Sequence, residues 1–325
     1  MAERQITYRE AIIEAIREEM IRDNRVFLMG EDVGALGGIF GTTKGLLQEF
    51  GEERVQDTPI SEAAIVGFGV GAAMAGMRPI VEIMRIDFMT ICMDEIVNQA
   101  AKMRFLSGGR FEVPLVIKTN SGGGIGLGAQ HSQSLEAWFT HVPGLKVIMP
   151  SVPYDVKGLL KAAIRDPNPV IFIESVGSLN ISGPVPEDDY VVPLGKADIK
   201  RKGTDATVVA WGTLVPKALN AAQTLASDGI EIEVVDPRSL SPLDIETIVT
   251  SVKKTGRLVV AHEAIKTSGF GAEVVALVQE QAFDYLDAPI QRVAAPFGIF
   301  PVNRSLERML LPHEEQIIAA VKSVL

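Results

Sequence analysis

Apolar residues at Ala11, Ile12, Ala15, Ile16 and Met20 recur at helical spacing behind Thr7 and Glu10, a capping-box pair. A helix therefore opens the chain and ends at Asp23-Asn24. Beyond it the period changes. Short β-type apolar runs at 26–29, 80–83 and 115–117 are separated by helical or glycine-rich segments. That alternation predicts an α/β fold in which helices cover a parallel sheet. The run at 146–149, the helical stretch 154–165 and the run at 170–173 predict one more β-α-β unit.

From 175 to 205 the sequence turns rich in Gly, Pro and Asp, and the apolar periodicity fades. Two domains follow from this, one over 1–190 and one over 206–325, with a linker at 191–205. The second repeats the alternation on a smaller scale. Its strands are expected at 206–211, 231–235 and 258–261, and its helices at 217–227, 244–253 and 272–282.

Composition narrows the function classes. Across 325 residues, 41 acidic side chains face 31 basic ones, for a net charge of −10, so a broad nucleic-acid footprint is excluded. Cys92 is the single cysteine, which rules out an internal disulfide and a cysteine-based metal cluster and fits a reducing compartment. The charged N-terminal sequence lacks the apolar stretch of a secretory signal. A bacterial cytoplasmic location is expected, or a mitochondrial matrix or plastid one for a chain whose leader has been removed. The longest uncharged stretch, 63–77, contains four glycines and stops at Arg78. It falls short of the roughly 20 residues that cross a bilayer.

Two segments invite chemistry. Asp57-Thr58-Pro59-Ile60-Ser61-Glu62 leads into that apolar stretch, and Glu62 is its only acid before Glu82. Apolar surroundings disfavour a charged carboxylate and suit it to proton transfer. The alternative is a helix start, with Ser61 as cap and Glu62 facing the dipole in the first turn. The second segment, from Ser121 to Gln133, packs five glycines ahead of His131, so the backbone there approaches something closely. His131 is either a general acid or base or a histidine hydrogen-bonded in a turn.

A loose dinucleotide-binding pattern is met twice, at Gly124, Gly126, Ala129 and at Gly67, Gly69, Ala72. Neither has an acid about 20 residues further on, which argues against a nicotinamide site. His141, His262 and His313 lack ligand-like spacing. Asp155 and Asp166 read as turn residues. A Gly-Asp-Gly followed by Asn, which holds a metal on thiamine diphosphate, does not occur.

Six ordered motifs then carry a family resemblance: Val26 to Val33, Asp57 to Glu62, Gly71 to Pro79, Ala129 to Ser134, His141 to Val147 and Lys157 to Asp166. Together they resemble the beta subunit of the thiamine-dependent decarboxylating component of 2-oxoacid dehydrogenase complexes. The pattern resembles pyruvate and acetoin dehydrogenase beta subunits, with the branched-chain 2-oxoacid enzyme as a further alternative. The resemblance implies an oxidoreductase with a pyrimidine-binding domain followed by a transketolase-type C-terminal domain. It also implies an α2β2 heterotetramer within a multienzyme complex, whose lipoyl acyltransferase core receives the acyl group from a small 2-oxoacid, pyruvate first.

On the same basis, Glu62 matches the glutamate that hydrogen-bonds the aminopyrimidine of thiamine diphosphate. Phe88 matches the aromatic that stacks on the pyrimidine, and Ile60 and Glu31 lie in the matching cofactor-binding segments. His131 matches a histidine that assists acyl transfer to the lipoyl disulfide. Leu115, Ala163, Asp166 and Asn168 resemble positions that hold a structural potassium ion. The cofactor is implied to be shared with the alpha subunit, which would hold its magnesium. Two departures stand out, Arg85-Ile86 and the run from Glu174 to Asn180. They represent either altered substrate choice or surface drift. The rival from another class is a non-catalytic scaffold that binds partners through its C-terminal domain.

Overall fold

A computed structural model describes residues 4–325; residues 1–3, the start of the charged N-terminal sequence, lie outside the described residues. The chain divides into two compact units. One contains the residues up to Ser121 together with Trp138–Leu194, and the other contains Gly122–Ala137 together with Gly195–Leu325.

In the first unit, β1 (Gln5–Thr7) leads directly into α1 (Tyr8–Arg22), whose capping box is formed by Thr7 and Glu10. Then follow β2 (Val26–Gly30), α2 (Leu46–Phe50), β3 (Val55–Asp57), α3 (Glu62–Met74) and β4 (Arg78–Ile83). The 3-10 helix Ile86–Cys92 and the π-helical Glu95–Ala100 precede α4 (Met103–Leu106). The unit continues with β5 (Val116–Ser121), α5 (Glu136–Thr140), β6 (Lys146–Ile148), α6 (Pro153–Arg165), β7 (Val170–Ser175) and β8 (Ser182–Pro184). Six strands pair in parallel in the order β6-β7-β5-β4-β2-β3.

Strands covered on both faces need apolar residues throughout, and every residue of β2 and of β7 is buried. Helix α3 lies close on this sheet. A Cβ at Gly69 would stand 2.8 Å from Val81 and 3.0 Å from Leu115, so glycine is what permits the approach. Helices α1 and α6 pack together and are tied by Lys157 to Glu14 and Glu18 and by Arg165 to Glu19. Strand β8 pairs antiparallel with β1.

The second unit has β9 (Asp198–Arg201), β10 (Ala206–Ala210), α7 (Leu214–Ser227), β11 (Ile232–Asp236), β12 (Ser239–Ser241), α8 (Ile245–Thr255) and β13 (Leu258–Ile265). It ends with α9 (Gly271–Ala282), β14 (Gln291–Ala295), α10 (Arg304–Leu310) and α11 (Glu314–Lys322). Its sheet runs β14-β13-β10-β11-β9, parallel except for β9 at the edge. The apolar faces of β10, β11, α7 and α11 meet in one core, with Val208, Leu214, Leu225, Val234 and Ile317 all fully buried.

The fold class is the two-domain α/β fold expected. Three readings change. The expected linker at 191–205 contains strand β9, whose register partners on β11 supply the hydrogen bonds that a free linker lacks. The segment Gly122–Ala137 groups with the second unit although it lies within the first 190 residues. Asp155 is buried in the first turn of α6 and is not a turn residue.

Candidate active site

Within the first unit, the chain passes from β2 outward to β3, then returns to β4 on the other side of β2 and continues to β5. The winding therefore reverses at β2 and β4. In open α/β sheets the crevice outside the carboxyl ends of the strands at such a reversal is where ligands bind. Glu31 directly follows β2, Ile60 and Glu62 follow β3, and Phe88 follows β4, so all four leave the carboxyl ends of three neighbouring strands.

Glu62 is the first residue of α3 and only 6% exposed, while Ser61 makes no side-chain capping bond. The capping alternative thus fails at the serine, and the carboxylate is buried at the helix start. Glu31 is partly buried, and its carboxyl is raised above the usual carboxylate range by burial, then by the charges of Glu62 and Asp32. Phe88 is half-buried on the 3-10 helix, which packs against α3. Ile60 is 79% exposed. Asp57 links two of these segments, because its carboxylate accepts from the amides of Gly34, at 2.6 Å, and Ala35, at 2.9 Å.

Beneath this edge lies an ionic group for which no role was expected. Lys118 on β5 is fully buried, with its ammonium 2.8 Å from Glu82, 2.7 Å from Glu174 and 3.1 Å from the Thr42 hydroxyl. Burial works against the charged lysine, but the two carboxylates outweigh it and hold its pKa above the usual value. Burial raises Glu174, Lys118 opposes that shift, and Glu82 adds to it. The sequence signal was a lone charge inside an apolar β run, at Lys118 and again at Glu174.

Arg85-Ile86 and most of the run from Glu174 to Asn180 are interior, with Gly177 and Asn180 exposed. Arg85 is 2% exposed, 3.8 Å from Asp87 and 5.9 Å from the centre of the Phe40 ring; Ile86 and Glu174 are fully buried. Surface drift therefore does not describe Arg85 and Ile86. Cys92 is also interior, and burial pushes its thiol up to about 12, which leaves it unreactive.

The four positions that the resemblance links to potassium lie around the turn from α6 to β7. The Leu115 carbonyl accepts from Val170 N at 2.9 Å, and the Ala163 carbonyl accepts from Asp166 N at 3.2 Å. The Asp166 carboxylate binds Lys146 and both nitrogens of Asn168. With that carboxylate engaged, an alkali cation here would rest on main-chain oxygens. Those carbonyls keep a second lone pair and suit a hard ion.

His131 belongs to the second unit, exposed on its glycine-rich loop, where its amide donates to the Gly128 carbonyl at 3.2 Å. Glu136 follows it. That side chain is fully buried beside the Trp211 indole N–H, 3.3 Å away, and burial pushes its carboxyl up to about 7. His262 stacks on Trp211 with ring centres 5.1 Å apart, and burial pulls it down to about 4.

A raised carboxyl contributes stability that is complete below its unfolded value and is lost as pH rises through its folded value. For Glu136 the window runs from 4.5 to about 7. Glu136→Gln should therefore gain about 3 kcal/mol relative to the parent between pH 5 and pH 8. Chemical denaturation at several pH values measures this, and parallel stability curves would reject it.

Comparison with known proteins divides the chain between residues 181 and 195, with Gly122–Ala137 inside the first match. Residues 4–181 match the transketolase pyrimidine-binding domain, and residues 195–317 match the transketolase C-terminal domain. The chain is 48% identical, over 99% of its length and 98% of the relative's, to the acetoin:2,6-dichlorophenolindophenol oxidoreductase subunit beta of Bacillus subtilis (strain 168). It is 48% identical over 98% of its length to the pyruvate dehydrogenase E1 component subunit beta of Rhizobium meliloti (strain 1021), covering 70% of that protein. It is 46% identical to the 2-oxoisovalerate dehydrogenase subunit beta of Bacillus subtilis, covering 98% of each chain.

The chain belongs to the family of beta subunits of thiamine-dependent 2-oxoacid dehydrogenases. A solved split-gene transketolase, described as an inactive beta4 tetramer, superposes with a TM-score of 0.81 at 23% identity over 98% of both chains, a likeness of fold. As a beta subunit of this family the chain is part of an oxidoreductase and works with an alpha subunit.

Proposed function

We propose that this beta subunit forms half of an active site for oxidative decarboxylation of a small 2-oxoacid, pyruvate first, and passes the acyl group to the lipoyl groups of an acyltransferase core. Pyruvate is placed first because pyruvate dehydrogenase beta subunits recur among its relatives in bacteria and plants. The observation that carries the reading is the gathering of Glu31, Glu62, Ile60 and Phe88 at the carboxyl ends of β2, β3 and β4.

These residues fit an aminopyrimidine. A buried carboxylate suits a ring nitrogen, and an aromatic beside it suits a flat ring. Thiamine diphosphate, when bound, supplies the nucleophilic carbon that attacks the 2-oxo group. Glu62 would hold a proton against the pyrimidine nitrogen, and Glu31, raised by burial and then by the Glu62 charge, would line the same crevice. Phe88 would stack on the ring, with Ile60 packing nearby. His131, exposed on its loop, would hold the proton taken up by the departing sulfur of a lipoyl disulfide.

The alpha subunit would complete an α2β2 tetramer and supply the ligands for magnesium and the diphosphate. Exposed apolar side chains, Phe68 on α3 at 56%, Ile91 at 55% and Phe105 on α4 at 87%, offer it a surface. Potassium, held by main-chain oxygens at Leu115, Ala163, Asp166 and Asn168, would pin the turn from α6 to β7. The bacterial cytoplasm is the proposed location; among the described residues no helix is long and apolar enough to cross a membrane.

Titration calorimetry checks the shared site. The isolated chain should bind thiamine diphosphate weakly, and adding the alpha chain should tighten binding at least tenfold. Tight magnesium-dependent binding by the beta chain alone would point to a self-sufficient site. A panel of pyruvate, branched 2-oxoacids and acetoin on the reconstituted complex fixes the substrate, and no turnover of any would favour the scaffold.

His131→Ala should lower transfer to a lipoylated domain by about 10²-fold while lowering dye-linked decarboxylation much less. Equal losses in the two assays would remove His131 from the acyl-transfer step.

A further inference from the structure

The glycines ahead of His131 are shaped around carboxylates of the chain's own C-terminal residues. Glu263 on β13 accepts from Gly123 N at 2.7 Å and from the Thr213 hydroxyl. Glu307 on α10, fully buried, accepts from Gly126 N at 2.8 Å and from the Ser132 hydroxyl at 3.3 Å. One turn back on α10, Arg304 donates to the Ile125 carbonyl at 3.2 Å. The helix is held at its start by Asn303, whose side chain accepts from the amides of Ser305 and Leu306.

Bulk at the glycines is excluded for the same reason. A Cβ at Gly122 would stand 2.6 Å from the Glu263 carboxylate, and one at Gly123 would stand 3.0 Å from that of Glu307. At Gly126 it would meet Arg304 at 2.9 Å and the Val302 carbonyl at 3.0 Å.

We infer that Glu307, supported by Glu263 and Arg304, is the positioning residue for His131. This rests on the acyl-transfer role proposed for His131. Glu307 touches no reacting atom. It binds the loop at Gly126 and again at Ser132, on both sides of Ala129-Gln130-His131, and so sets where the imidazole is presented. A charged acceptor on a backbone N–H is among the stronger hydrogen bonds, and misplacement of a catalytic group by about 1 Å costs up to about 10²-fold.

The test uses the reconstituted complex and two rates, acylation of a lipoylated domain and dye-linked decarboxylation. Glu307→Ala should lower the ratio of the first to the second by about tenfold. Glu307→Gln keeps an acceptor for Gly126 and a polar partner for Ser132, so it should recover the ratio to within about twofold of the parent. Ser132→Ala removes one bond only and should lower the ratio by about threefold, which keeps the test open if Glu307→Ala fails to fold.

The decisive arm is the double variant. In a His131→Ala background, Glu307→Ala should cause no further loss in the ratio, because a positioning residue has nothing left to position. A further loss there, equal losses of both rates in Glu307→Ala, or no recovery with Glu307→Gln would overturn the inference while leaving His131 in its role. An unchanged ratio in His131→Ala alone would instead remove the role on which the inference rests.

Discussion

Glu62→Gln should leave the reconstituted enzyme folded and cofactor-bound, with turnover reduced by about 10³-fold. The amide fills the same volume at the start of α3 and loses little packing. What it lacks is a proton that can be exchanged with a ring nitrogen. Glu31 stays in place and keeps the burial that chiefly raises its carboxyl, losing only the added contribution of the Glu62 charge. Single-turnover decarboxylation is the measurement, with calorimetry confirming that cofactor still binds. Near-normal decarboxylation in a saturated variant would end the assignment.

The second large effect lies beneath the site. Lys118→Met should destabilise the protein by about 3 to 5 kcal/mol, because it leaves Glu82 and Glu174 buried without their shared cation. Glu174, already raised by burial, then loses the opposing pull of Lys118 and rises further. That part of the cost is smallest at low pH, where the Glu174 carboxyl takes up a proton, and grows as pH rises through its folded value. Chemical denaturation at pH 5 and pH 8 should therefore show a smaller deficit at pH 5. Replacing both acids by glutamine in the same variant should recover much of the loss. A variant as stable as the parent at pH 8 would show that the group is not held as an ion cluster.

How far the sequence could be read depended on whether a property was local. The capping box at Thr7 and Glu10, the apolar strands and the helices between them follow short-range rules, and the structure places them within a few residues. Glu62 stands out as an acid ahead of an apolar stretch and His131 as a histidine behind five glycines, whereas Phe88 lies in none of the six motifs and is reached through the family resemblance alone.

What escaped was non-local. Lys118 meets Glu82 and Glu174 only because β4, β5 and β7 lie side by side, and no spacing along the chain encodes that. Glu307 and Glu263 look like ordinary surface acids in the sequence, yet each meets a glycine amide more than a hundred residues away. The linker expected at 191–205 looked structureless because an edge strand as short as β9 carries little alternating pattern.

The route of the chain has a consequence for biogenesis. The loop bearing His131 is synthesised early, but its Glu263 and Glu307 partners follow 140 and 181 residues later. At about 5 to 20 residues per second, the loop stays unclasped on the ribosome for roughly 10 to 40 seconds. Neither unit corresponds to one continuous stretch of message, since Gly122–Ala137 is translated within one unit and belongs to the other. A nascent chain stopped short of α10 would therefore display His131 on a loop that lacks its Glu307 contacts. That histidine is set in place only once α10 has been made.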